Sequence, residues 1–144
     1  MNAEEYLESI KIQDRVVKRM RSEAEAIREA MGVKGVNYEN IGAGKGTPSS
    51  DIMGEAIAKL IDFENEVKAE EMKLGLMRME ATKAINTLDS EDQREILTRW
   101  YLRFQNIDEV KKALHLSESR VYTLKRLALK KISFFEKTAV NSTK

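Results

Sequence analysis

The chain has 144 residues, enough for one domain or for one small domain with an extended part. It has no cysteine and one histidine, which excludes disulfides, thiolate metal sites and an unaided zinc site. The net charge is +1, but residues 1–89 carry −4 and residues 90–144 carry +5, so a polyanion is expected at the C-terminal end.

The opening Met1-Asn2-Ala3-Glu4-Glu5 lacks the basic and apolar regions of a signal peptide. No apolar run approaches the roughly 20 residues of a membrane span. Both point to the cytoplasm of a bacterial cell, with no membrane partner. From Tyr6 onward a helix is expected. Ile10, Gln13, Val17, Met20, Ala24, Ile27 and Met31 follow Tyr6 at alternating spacings of four and three, a heptad seam whose one polar member is Gln13.

Residues 32–48 gather Gly32, Gly35, Gly42, Gly44 and Gly46 with Asn37, Asn40 and Pro48, and read as a linker. Within it, Gly42-Ala43-Gly44-Lys45-Gly46-Thr47 is similar to a phosphate-cradling loop. The first glycine of that pattern would fall on Glu39, no strand precedes it, and Pro48 opens the following helix. A linker is the favoured reading.

Thr47-Pro48-Ser49-Ser50-Asp51 supplies helix-start signals. The seam resumes through Ala56, Leu60, Phe63, Val67, Glu70, Leu74, Met77, Ala81, Ala84 and Leu88, with Glu70 its polar member. The helix would run about 40 residues, roughly 60 Å. It must bury its stripe against the first helix, another chain, or both. Met72, Met77 and Met79 are expected in a helical interface, and the glutamates of both long helices on solvated faces.

Three further helices are expected at about 91–104, 107–114 and 118–136. Ser90 with Gln93 and Asn106 with Glu109 have capping-box spacing, and Ser117 is a third N-cap. The tail after Lys137 is polar and frayed in this reading. The expected architecture is all-α: long antiparallel or coiled-coil helices, then a small helix-turn-helix bundle. Residues 1–88 form the oligomerising region and 89–137 the DNA-binding domain.

In that last region Val110, Leu114, Leu116 and Val121 sit where a helix-turn-helix closes on itself. Ile107, Leu124, Ala128 and Ile132 extend the apolar face, Leu127 and Leu129 widen it, and Leu97, Trp100 and Tyr101 supply a third wall. His115 falls in the turn, where positive φ is common. The second helix would then expose Glu118, Ser119, Arg120, Tyr122, Thr123 and Arg126. Its N-terminal half is the part that reaches base edges. Arg120 can pair with guanine, while Tyr122 and Thr123 can touch phosphate or a thymine methyl. Ser117, at the start of this helix, is a further DNA-binding candidate, and Lys125, Lys130, Lys131, Lys111 and Lys112 are placed for phosphates, where contacts give affinity without sequence preference. No catalytic, cofactor or metal residue is expected.

Residues 85–132 resemble region 4 of bacterial sigma factors and the phage regulators that share it. The resemblance rests on Ile96-Leu97-Thr98-Arg99-Trp100-Tyr101-Leu102, Glu109-Val110-Lys111, the span from Leu114 to Val121, and Ala128-Leu129-Lys130-Lys131-Ile132. Upstream, Tyr38, Thr47 to Met53, Ile57, Leu60, Asp62 and Glu64 resemble phage-encoded transcriptional regulators of the ArpU/RinA-like type. Lys111 and Lys125 depart from that pattern, standing where a small alanine and a leucine-like residue are usual. The resemblance implies a non-enzymatic regulator of phage late or packaging genes in the host cytoplasm. The second helix of the helix-turn-helix makes double-stranded DNA the expected partner, and the heptad helices make a second copy of the chain another. The rival readings are a small terminase-like packaging subunit and an interaction module that binds RNA polymerase.

Overall fold

The structure is a computed structural model and describes residues 2–32 and 48–132. Within them it is all-α: α1 (Ala3–Ala30), α2 (Pro48–Ile85), α3 (Glu91–Leu97), a π-helical segment (Thr98–Leu102), α4 (Ile107–Leu114) and α5 (Glu118–Lys131). The glycine-rich linker reading, the loop around Gly44 and the tail after Lys137 lie outside the described residues. The chain forms two compact units, one of residues 15–73 and one joining residues up to Asp14 to those from Leu74 onward. The expected boundary at 88/89 falls inside the second.

In the unit of residues 15–73, α1 and α2 run antiparallel. Arg21 pairs with Glu71 and, further along α1, Arg28 Nη2 lies 2.5 Å from Glu64 Oε2, so rising numbers on α1 meet falling numbers on α2. Val17 and Ala24 are buried, as are Ile57, Leu60 and Val67. Two residues past the end of α1, Gly32 turns the chain at φ 71°, the left-handed conformation that a glycine adopts without a Cβ clash.

In the other unit, Leu7 and Ile10 of α1 join Ala81, Ala84, Ile85 and Leu88, and with Leu97, Tyr101, Leu102, Ala128 and Ile132 they form the larger core. Ile96, Val110, Val121 and Leu124 form a second core. Trp100 packs against both. Each fully buried aliphatic side chain contributes on the order of 1.5–3 kcal/mol. Gln13 is buried here, and the hydroxyl of Tyr6 donates to Glu80 Oε2 at 3.2 Å. Leu7, Ile57 and Ile85 are buried although they lie off the heptad seams. A helix that packs against more than one neighbour needs a wider apolar stripe than a two-helix seam. Met77 packs on the larger core, whereas Met72 and Met79 are exposed and join neither core among the described residues.

Three helix expectations are corrected. The helix expected at 91–104 is α-helical only to Leu97. From there the Arg103 N–H donates to Thr98 O, an i→i−5 bond of 3.0 Å. Along this wider turn the consecutive residues Tyr101 and Leu102 are both buried in the larger core with Leu97. Phe104, at φ 54°, ends the segment while the Gln105 N–H donates to Arg99 O at 2.9 Å, and Arg78 Nη1 donates to the Leu102 carbonyl at 2.8 Å. The helix expected to reach 136 ends at Lys131, because Ile132 turns to extended backbone and buries its side chain in the larger core. The Ser90–Gln93 box is half formed: the Gln93 N–H donates to Ser90 Oγ at 3.3 Å, but Gln93 Oε1 has no hydrogen-bond partner among the described residues.

Candidate nucleic-acid interface

The helix-turn-helix forms as an apolar clasp. Val110 and Val121 are fully buried against each other's helices, with Leu114 and Leu116 partly buried beside them. α4 begins at a reciprocal box: Asn106 Oδ1 accepts the Glu109 N–H at 2.9 Å and Glu109 Oε1 accepts the Asn106 N–H at 3.0 Å. His115 takes φ 56°, ψ 43°, and the Leu116 N–H reaches back to Lys111 O at 3.3 Å. That 6→1 bond closes α4 and reverses the chain. Ser117 Oγ then accepts the Arg120 N–H at 3.1 Å and starts α5.

With Val121, Leu124 and Ala128 facing inward, α5 turns its opposite side out. Ser117, Ser119, Arg120, Tyr122, Arg126 and Lys130 are exposed, as is Lys112 on α4, and Thr123 is half-buried. Ser119, Tyr122, Arg126 and Lys130 recur at helical spacing and share one stripe. Arg120 and Lys131 flank it with Leu127, which is exposed and does not widen the core as expected. Leu129 does pack on the larger core.

Two expected phosphate ligands are engaged by protein. Lys111 Nζ lies 3.8 Å from Glu118 Oε1, tying α4 to the first turn of α5. Lys125 is the more enclosed. Its side chain is 16% exposed, its Nζ lies 3.9 Å from Glu4 Oε2, and it sits 4.7 Å from the Trp100 ring centroid and 5.6 Å from that of Tyr101. A cation over an aromatic face is attracted by the ring quadrupole. The Lys125 stem is largely covered while its charge is met by two rings and a carboxylate.

Trp100 also meets Tyr122 edge-on, with centroids 5.8 Å apart and ring planes at 69°. The Tyr101 hydroxyl is held in its neutral form first by burial and then by the nearby carboxylates of Glu4 and Glu8. Arg120, Arg126, Lys112, Lys130 and Lys131 have no ion-pair partner among the described residues, in contrast to Arg21, Arg28, Arg94 and Arg99.

No group of three or more potential metal ligands occurs among the described residues, and no described helix is long and apolar enough to cross a membrane. A family model described as "Protein of unknown function (DUF1492)" matches residues 36–133. The chain belongs to this family. No curated protein and no solved structure matches it. The DUF1492 span contains the whole helix-turn-helix and every candidate residue on it, and leaves α1 outside.

Sequence reasoning missed one participant beside α5 of this DUF1492 chain. The first turn of α1 borders α5: Asn2, Ala3 and Glu4 share an open groove of about 490 Å³ with Tyr122, Arg126 and Lys130. No local pattern could have found it, because the pairing joins opposite ends of the sequence.

Proposed function

We propose that the chain is a sequence-specific DNA-binding regulator of transcription, with α5 lying in the major groove. The observation that carries this reading is the outward row on α5: Ser119, Arg120, Tyr122, Arg126 and Lys130 stand exposed on a helix that a buried clasp and a Ser117 cap hold rigid. The arginines and Lys130 there lack protein counter-charges among the described residues, while Lys111 and Lys125 are internally satisfied. Arg120 and Ser119, near the start of α5, are the base-edge candidates; Arg126, Lys130 and Lys112 are the phosphate candidates. Two chains paired through their long helices would bind two half-sites. The resemblance to ArpU/RinA-like regulators supports a phage-encoded protein acting on late or packaging genes.

The test is duplex binding by fluorescence anisotropy at low salt, with Arg120→Glu/Arg126→Glu as the comparison. Loss of two charge contacts predicts about a hundredfold weaker binding, near 3 kcal/mol at 1.4 kcal/mol per tenfold. Equal binding by the two proteins would contradict groove reading by α5.

A further inference from the structure

The closeness of Glu4 to the reading helix concerns how strongly that helix attracts any duplex. Lys125 lies on α5 one position before Arg126, yet its charge points at Trp100, Tyr101 and Glu4. Glu4 is half exposed, with 48% of its side chain accessible, and it borders the same groove as Arg126 and Lys130. A carboxylate in that position does two things. It neutralises Lys125, removing one cation from the set that phosphates would attract. It also puts a negative charge on the groove that Arg126 and Lys130 line, and exposed charges act on one another over roughly 10 Å at moderate salt.

We infer that Glu4 is a specificity-determining residue: by holding Lys125 against Trp100 and offsetting the neighbouring cations, it limits sequence-independent attraction to the phosphate backbone. The inference rests on the DNA-binding reading. Its physical logic is that backbone attraction is common to all sequences, whereas the base-edge candidates Ser119 and Arg120 would discriminate among them. Weakening the shared component raises the ratio of specific to non-specific binding. Lys125 acts in this account as a positioning residue, a charged strut beneath Trp100 and hence behind Tyr122, whose ring leans edge-on against that tryptophan.

The experiment measures binding of the full chain to poly(dI-dC) duplex across about 50 to 200 mM salt and reads the slope of log K against log salt, which changes by about 0.9 per phosphate neutralised. Glu4→Gln is expected to bind this duplex about threefold or more tightly and to steepen the slope by up to about 0.9, as Lys125 becomes available to phosphate. Lys125→Met alone is expected to keep the slope of the unaltered chain, and Glu4→Gln/Lys125→Met to return to it. Glu5→Gln, an exposed neighbour outside the groove, serves as control. An unchanged affinity and slope for Glu4→Gln would overturn the inference. So would a slope about 0.9 shallower for Lys125→Met, which would mean Lys125 already meets phosphate. If the unaltered chain binds no duplex at low salt, the DNA-binding reading fails and this inference falls with it; binding that is merely insensitive to residue 4 removes the inference alone.

Discussion

Asn106 and Glu109 cap α4 from both directions, each side chain accepting the other's backbone N–H at 2.9 and 3.0 Å. α4 has only 8 residues, too few to hold together without tertiary packing and a satisfied first turn. Asn106→Ala is expected to destabilise the fold by about 1 kcal/mol. Urea denaturation reads this as a lower midpoint with an unchanged slope; an unmoved midpoint would contradict the role assigned to the cap.

His115 carries the turn of the helix-turn-helix at φ 56°, where a Cβ is crowded. His115→Gly is expected to gain about 0.5–1 kcal/mol through relief of that crowding, after the entropic cost of glycine. His115→Val should lose at least about 1 kcal/mol, since a β-branched residue tolerates this region worst. Thermal melting of the pair against the unaltered chain checks the order. A valine variant as stable as the glycine variant would mean the turn does not depend on its left-handed residue.

Tyr6 is raised from 10.0 to about 12, first by burial and then by Glu80, which repels the phenolate and accepts the hydroxyl proton. A raised value means that the fold favours the neutral hydroxyl. Its contribution is complete below pH 10.0 and is lost as pH climbs toward about 12. Stability measured in urea should therefore decline across that window, and Tyr6→Phe should flatten the decline. Tyr101, raised for the same leading reason, leaves a residual slope in that variant. Superimposable pH profiles for Tyr6→Phe and the unaltered chain would remove Tyr6 from this account.

Short-range patterns were readable in the sequence because their physics is local. The Asn106 box, the Ser117 cap, the positive φ of His115 and the inward face of Val110, Val121 and Leu124 all follow from spacings of a few residues. The heptad seams correctly marked Ile10, Gln13, Val17, Leu60, Val67, Ala81 and Ala84 as buried. The misses came from tertiary geometry. Nothing in Thr98-Arg99-Trp100-Tyr101-Leu102 announces a π-helical turn; it forms where Tyr101 and Leu102 must both face one core. Lys125 looked like a phosphate ligand because its rings and carboxylate come from α1 and from the segment after α3. Among the candidate site residues, exposure followed helical periodicity, while engagement by distant partners did not.

Selection of bound sequences from a pool of random duplexes at fixed salt tests the central claim most directly, with Arg120→Glu/Arg126→Glu run in parallel. If α5 reads the major groove, the unaltered chain enriches one motif and the double variant does not. A paired protein would enrich it as two half-sites about 10 base pairs apart or at a multiple of that spacing. Recovery of a pool indistinguishable from the input, or of the same motif by both proteins, would contradict the claim that α5 is the reading helix.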